Sequence, residues 1–482
     1  MTLRINPQPP KTFTLHSSLL FDPKQKAFRK NISIEIDRDT GSIANLYERD
    51  DQHDLRLQVK DGDIDLRGPG KCVLPGLVDS HTHVFLHSYS LTTEKKSDRP
   101  SIEQMRDSSP VERILRATSA VRAALLAGFT TYRDLGTEAL GPADAQLRDC
   151  INRGLIPGPR MFVATDALAS NGSYEIRREN KSLSSPFSSS GYGSGGGGLQ
   201  VPRASDPCDG PSSVRAAVRR RVGDGADIIK FYADYRRKVM RFPGPDTSRT
   251  SNQPILFPPD VGRKNPAVPL FGQDEMDAIV AEAKLAELPV AAHAGDTKAA
   301  LMAARAGVTS VEHVFEDYGG LMDEVLREMK ERKVIWVPTL ATVESALSEE
   351  VMEGCVAAVR KAVLEMGVRV VTGGDTGVID HGLNCRELEI FVQKVGLPVE
   401  QVLEMATVGG WEACGGEMTG YRFGWWEKGC RADVICLDAD PREDKKALRK
   451  VGFVMKDGKV WKRDGRAVDM ITVPEFPSYM DD

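Results

Sequence analysis

Between Val73 and Asp375 the chain alternates, eight times over, a short apolar run of β type with a stretch of helical period. The runs are LPGLVDSHTH, FTTYRDL, PRMFVATDAL, ADIIKFYADY, PVAAHAG, VTSVEHVF, VIWVPTL and VRVVTGGD. Strands that alternate with helices pair in parallel, and eight is the number that closes a (β/α)8 TIM barrel. The expected fold class is therefore α/β, with a barrel over residues 73–419. Its first helix carries a clear start signal: Ser109 as N-cap, Pro110 at the first helical position and Glu112 completing a capping box. Val111, Ile114, Leu115, Thr118, Val121 and Leu125 then mark the face expected to meet the core, and Gly128 ends the helix. Further helices are expected near 212–222, 274–287, 297–306, 321–332 and 347–366. Two more, 384–395 and 398–413, should pack outside the barrel.

The ends of the chain have a different texture. Residues 13–69 hold short alternating stretches separated by polar turns, and ADVICLDAD and GFVMKDGKVWK near the other end resemble them, with Asp457-Gly458 as a hairpin turn. Neither piece has enough apolar material for a core of its own. Residues 1–72 and 420–482 are expected to fold together as one small composite β-sandwich domain. Two stretches interrupt the barrel rhythm: 171–210, with its Gly/Ser tract, and 236–269, rich in Pro, Arg and Asn. Both follow the ends of expected barrel strands, the third and the fourth. They read as a lid or pocket wall on one view and as plain surface loops on the other.

Composition removes several function classes. Lys plus Arg is 64 against 69 for Asp plus Glu, a formal charge of -5, which gives no reason to expect nucleic acid or an acidic membrane as partner. The eight cysteines are scattered without a CxxC and read as reduced thiols. MTLRINPQPPKTFTLHSS lacks a signal-peptide core, and no run reaches membrane-spanning length, so a cytoplasmic enzyme of a small-molecule substrate is expected.

The candidate chemistry sits at the run ends. Of eight histidines, His81 and His83 end the first run, His293 the fifth and His313 the sixth, while Asp375 ends the eighth. A strand places residues two apart on one side, so His81 and His83 can aim into one site. The barrel topology would gather all five at one mouth. Imidazoles with a carboxylate suit Zn2+ or a similar divalent ion. Lys230, ending GADIIK, reads from position alone as a strand-end lysine or a salt-bridge partner.

With VLPGLVDSHTH, TTYRDLG, GADIIKF, HAGD, GVTSVEH and TGGDTG in this order, the chain resembles the metal-dependent amidohydrolase superfamily. The likeness is to the branch that groups imidazolonepropionase-like enzymes, Xaa-Pro dipeptidases and a fungal ochratoxin-hydrolysing amidase. The resemblance implies two divalent ions, zinc first, with Mn, Co or Fe also fitting. His81, His83 and Asp375 would hold the more buried ion and His293 and His313 the more exposed one. Lys230, carboxylated by CO2, would bridge both. A bridging hydroxide would attack the carbonyl, with Asp375 orienting it, taking its proton and delivering that proton to the leaving nitrogen. Imidazolonepropionase is mononuclear, so Lys230 favours the dipeptidase-like side.

Tyr232, Tyr235 and Arg133 are candidates for holding a substrate carbonyl or carboxylate, the alternative for each being packing or a barrel salt bridge. One departure stands out. Close members read His-x-His where this chain has His293-Ala294-Gly295-Asp296, so His381 is a candidate to replace the missing histidine at the substrate. His87 is not expected to be a ligand. The function implied is hydrolysis of an amide bond in a small peptide or N-acyl amino acid by a homo-oligomer. Opening of a cyclic amide or deamination of a heterocycle is the first alternative, and a non-catalytic scaffold on the same barrel the second.

Overall fold

The computed structural model describes residues 10–50, 54, 56–88, 101–174, 203–236, 267–317 and 319–470. Most of each insertion, 175–202 and 237–266, lies outside the described residues. Strands β1 (Thr12–Asp22), β2 (Ala27–Asp37) and β3 (Ile43–Glu48) form an antiparallel meander. The short β4 (Ile64–Asp65) and β5 (Cys72–Pro75) run parallel to β1.

The parallel strands begin one residue later. They are β6 (Leu77–Thr82), β7 (Phe129–Asp134), β8 (Arg160–Val163), β9 (Ala167–Ala169) and β10 (Ser205–Pro207). After them come β11 (Ile229–Tyr232), a small antiparallel pair β12 (Asp234–Arg236) and β13 (Ala267–Pro269), then β14 (Val290–Asp296), β15 (Ser310–Glu316) and β16 (Ile335–Val337). β6 pairs with β7 and β7 with β8, all in parallel. The Asp227 and Ile228 N–H groups bond to the Val163 carbonyl, leading from β8 to β11. From there β11, β14, β15 and β16 follow in parallel register.

The eighth run does not become a regular strand. It pairs all the same, through a parallel bridge between Trp336 and Val370 and another between Thr82 and Thr376. Ser80 N–H also reaches Thr372 O at 3.3 Å, and Thr376 N–H reaches His81 O at 3.1 Å. Gly373 explains how the run comes so close to β6: a Cβ there would lie 2.8 Å from the His81 nitrogen. Any side chain would force the two runs apart.

Strands β17 (Val434–Leu437), β18 (Val451–Lys456), β19 (Lys459–Arg463) and β20 (Arg466–Ala467) complete the sheet begun by β1. The order is β20-β19-β18-β17-β5-β1-β2-β3, with β4 alongside β1, so strands from both ends of the sequence share one sheet. The expected turn at Asp457-Gly458 is present, both residues having positive φ (52° and 75°) as a two-residue hairpin requires. This sheet has a core of its own, including Leu15, Ile34, Trp426, Val434 and Phe453. The larger core lies between the parallel strands and their helices, around Val121, Phe129, Ile229, Phe231, Val311 and Trp336.

The helix Pro110–Leu126 starts as its sequence demands, with Ser109 Oγ accepting from the Glu112 N–H at 3.1 Å. Its buried stripe differs from the expected one. Arg113, Ala117, Val121, Ala124 and Leu125 face inward, while Val111, Ile114 and Leu115 are exposed at 66%, 46% and 64%. Arg113 turns the helix: its guanidinium donates to the carbonyls of Phe85, Thr137 and Glu138, which fixes the start of the buried face. Small alanines then allow close approach. Among the described residues, no helix is long and apolar enough to cross a membrane.

Candidate metal centre

β6 delivers Asp79 and His81 to one side by strand alternation, and His83 follows just past its end. Asp79 is buried and binds the two runs together. One oxygen accepts from the His81 and Gly374 N–H groups, the other from the Thr376 hydroxyl and the Asn384 amide. These bonds set the eighth run against β6, so Asp375 faces the histidines. His81 Nδ1 lies 2.9 Å from Glu312 Oε2, and His83 Nδ1 lies 3.0 Å from the Gly136 carbonyl. A carboxylate and a carbonyl can only accept, so each Nδ1 carries the proton and each Nε2 presents a lone pair.

Those lone pairs point at Asp375: His81 Nε2 and His83 Nε2 are each 3.6 Å from Asp375 Oδ1. His81 Nε2 and Asp375 Oδ1 are buried and have no hydrogen-bond partner among the described residues. His313, in the middle of β15, places Nδ1 2.8 Å from Thr339 Oγ1, and its ring centre is 4.8 Å from that of His81. Ligand atoms of His81, His313 and Asp375 all fall within 4.8 Å of one another. His293 stands farther out, 21% exposed at its side chain, with its ring centre 4.7 Å from that of His313. Lys230 is buried beneath the group, its Nζ 5.8 Å from the centre of the Tyr232 ring.

The electrostatics follow from burial. Loss of water lowers the pKa of His81 and His313 well below the usual imidazole range and that of His83 to about 3, so all three rings are neutral near pH 7. Burial pushes the Asp375 carboxyl up to about 7, opposed by the Lys230 charge. It brings the Lys230 amine down to about 8, opposed by Glu312 and Asp375.

Two buried polar atoms 3.6 Å apart, neither with a hydrogen-bond partner among the described residues, are costly as they stand. Neutral imidazole nitrogens and a carboxylate oxygen, with the far imidazole nitrogens already held, are the donor set of a Zn2+-type site. The residues present fit a divalent ion.

Backbone strain gathers at the same mouth. His313, Val314, Thr339, Asp375 and Glu138 have φ of 78°, 71°, 53°, 53° and 54°, uncommon for residues with side chains. At His313 this breaks the strand alternation. Glu312 and His313 are neighbours that should face opposite ways, yet Glu312 bonds to His81 and the His313 ring packs against the His81 ring.

The tentative substrate contacts separate. Arg133 does not face a substrate. All five of its N–H donors are used inside the fold, on Ser80 O, Ser310 Oγ, Ala413 O and both oxygens of Glu312. Tyr232 does border the site: its ring stacks on Tyr174 (4.3 Å, 11°) and lies 4.7 Å from the His293 ring. Tyr235 meets Tyr174 edge-on at 5.6 Å. His381 points both ring nitrogens at protein groups, Leu86 O at 3.2 Å and the Tyr132 hydroxyl at 3.4 Å. His87 hydrogen-bonds through its main chain to the Gln104 amide, away from the ligand set. Gly295 lies beside the buried Asp234, whose carboxylate accepts from the N–H groups of Gly295 and Asp296 and lies 3.7 Å from His293 Nε2.

Sequence reasoning missed Glu312, Glu138, Tyr174 and Thr339. Glu138 Oε1 is 3.4 Å from His83 Nδ1, and its other oxygen accepts from the Tyr174 hydroxyl at 2.6 Å. Only Glu312 had a local signal, its place beside His313.

The family model for the amidohydrolase family matches residues 72–461. The chain is 27% identical over 417 residues to ochratoxinase of Aspergillus niger, spanning 82% of this chain and 76% of that protein. Among solved structures, A. niger ochratoxinase superposes with a TM-score of 0.70 at 25% identity, covering 96% of this chain and 98% of that one. A Xaa-Pro dipeptidase with methionine bound in its active site superposes with a TM-score of 0.69 at 26% identity, covering 94% and 100%. These likenesses imply a TIM-barrel-like α/β fold for the chain.

Proposed function

Because the chain belongs to the amidohydrolase family and is a hydrolase of amide bonds, we propose that it cleaves an amide in a small peptide or N-acyl amino acid at a binuclear divalent-metal centre. One observation carries this reading: buried His81 Nε2 and Asp375 Oδ1 face each other without partners. His81, His83 and Asp375 are assigned to the more buried ion, and His293 and His313 to the more exposed one. Lys230, as N6-carboxylysine, serves both. Zinc is the first choice of metal, with Mn, Co and Fe compatible. Such ions, when bound, supply Lewis acidity that acidifies water and polarises the scissile carbonyl.

The protein's own part is proton handling and orientation. Asp375 can take a proton from the attacking water and return it to the leaving nitrogen. The Lys230 amine, lowered to about 8, has a neutral fraction able to react with CO2. The ammonium gives up one proton, the neutral nitrogen bonds to the CO2 carbon as one C–O π bond opens onto oxygen, and loss of a second proton from nitrogen leaves a carbamate anion where a cation stood. Tyr232, stacked on Tyr174, and Tyr235, edge-on to the same ring, are the proposed substrate wall beside His293.

The wider architecture belongs to the same reading. Residues 73–419 are taken as the (β/α)8 barrel, and 1–72 with 420–482 as the composite β-sandwich domain. The protein is taken to act in the cytoplasm on a small molecule. Homo-oligomeric assembly is supported by the exposed Val111, Ile114 and Leu115 on one helix.

A second reading has one observation in its favour. The close trio of His81, His313 and Asp375 would suit a single ion, as in cyclic-amide or deaminase chemistry. Metal analysis with a substrate panel decides. About two ions per chain with activity on dipeptides or N-acyl amino acids supports the binuclear amidase. One ion with turnover of lactams or amino-heterocycles selects the alternative. No metal under chelator-free conditions rejects both readings of the centre.

A further inference from the structure

Glu312 lies at the centre of a set of polar atoms with no unused valence. Its Oε1 accepts from Arg133 and from the Ser310 hydroxyl, and its Oε2 accepts from Arg133 and from His81 Nδ1. A carboxylate has about four lone-pair sites, and here all are taken. Glu312 therefore has no lone pair to give a metal ion, although it sits beside one ligand in space and another in sequence. Arg133 is saturated in the same way, with each N–H on an acceptor. Both side chains are fully buried, so the ion pair has no water to exchange with.

A buried pair like this gives little net stability compared with apolar side chains of similar size, because both charges must be desolvated. What it does specify is a direction. Oε2 can only accept, so the His81 proton is fixed on Nδ1 and the Nε2 lone pair is fixed toward Asp375 Oδ1. The main-chain side of His81 is held separately, by Asp79.

The geometry points to Glu312, held in place by Arg133, as a positioning residue that sets the tautomer and ring direction of His81 for metal binding. This rests on the metal-centre reading and extends it to a residue pair spanning β7 and β15 that touches neither metal nor substrate. It also gives Arg133 a role distinct from the substrate contact its sequence position suggested.

The test uses the full chain reconstituted with Co2+, comparing the parent with two double variants that leave no unpaired buried charge. R133M/E312A removes the acceptor, whereas R133M/E312Q keeps a neutral oxygen that can accept from Nδ1–H. Competition with a chromogenic chelator gives the affinity, the visible Co2+ absorption reports ligand geometry, and thermal unfolding checks the fold. The expected result is R133M/E312A folded but weakened about 10–100-fold for one ion, with an altered Co2+ band. R133M/E312Q should recover most of that affinity. Parent-like affinity and spectrum in R133M/E312A overturn the proposal. So does R133M/E312Q binding no better than R133M/E312A, or failure of both variants to fold, each of which makes the pair purely structural. A parent that binds no Co2+ overturns the metal-centre reading together with this inference, whereas matching variants of a binding parent overturn this inference alone.

Discussion

His16 and His81 are both buried, both on strands, and both lowered in pKa chiefly by burial. His16, in the composite sheet, has Nδ1 2.8 Å from Ser33 Oγ and Nε2 facing Asp63 at 3.7 Å. Arg49 closes that network by donating to Ser33, Ser17 O and Asp54. His81, at the mouth of the parallel strands, has one nitrogen as firmly held and the other with no partner. Burial and a perturbed pKa are common to both. The unpartnered atom is what separates a site from a brace.

The contrast predicts opposite consequences for damage in the two regions. Chelation should abolish amide hydrolysis, with recovery on adding Zn2+. Asp375→Asn should cut kcat by about 10²–10⁴-fold while leaving the thermal midpoint unchanged or raised, since a buried charge is removed. A large fall in midpoint with activity intact would break the contrast. Arg160→Ala should do the reverse. Arg160 joins β8 to Asp433 and Asp457 of the sheet, and removing it strands a buried carboxylate at a cost of about 3–5 kcal/mol. Denaturant unfolding measures that loss, and kcat at low temperature should stay near the parent's. His16→Ala should cost less, about 1–3 kcal/mol for the partners left unpaired, with full metal content by elemental analysis.

The smallest expected effect is a slope. The folded-state pKa of His16 is depressed, so its stabilising contribution is present above the unfolded value of 6.5 and declines as pH falls below it. Arg49 and Arg67 push it down further, while Asp63 and Asp65 oppose them. Urea unfolding at pH 7.5 and pH 5.5 should show a smaller drop for His16→Gln than for the parent. Equal drops would remove His16 from the acid response.

Much of the molecule was legible in the chain because it follows from periodicity. The apolar runs pair in the order they were written, the Asp457-Gly458 turn closes its hairpin, and His81, His83, His313 and Asp375 lie together. What escaped depends on departures from regular geometry. Glu312 was hidden because alternation sends it away from His313, and only the positive φ of His313 brings both inward. The apolar stripe of Val111, Ile114 and Leu115 misled because Arg113, which lies off that stripe, is an internal clamp on three carbonyls. For Arg133 the structure has the alternative that stood beside its candidacy, a barrel salt bridge, with Glu312 as the partner. Thr339 and Tyr174 gave no periodic signal at all, since each acts through one hydroxyl set by a loop.

The shared sheet also constrains how the chain can be made. β5 sits between β1, translated before it, and β17, which emerges some 360 residues later by the numbering. Until β17 arrives, β5 has a bare edge, and Leu15, Ile34 and Val73 lack the Trp426, Val434 and Phe453 that complete their core. The meander β1–β3 can form early from local contacts, whereas its neighbours must wait for the ribosome to deliver them. For most of synthesis the nascent protein therefore carries an unfinished, sticky edge beside a helix-rich segment able to fold first. A chaperone that covers strand edges, or slow translation after residue 419, should raise the yield of native protein more than added metal does.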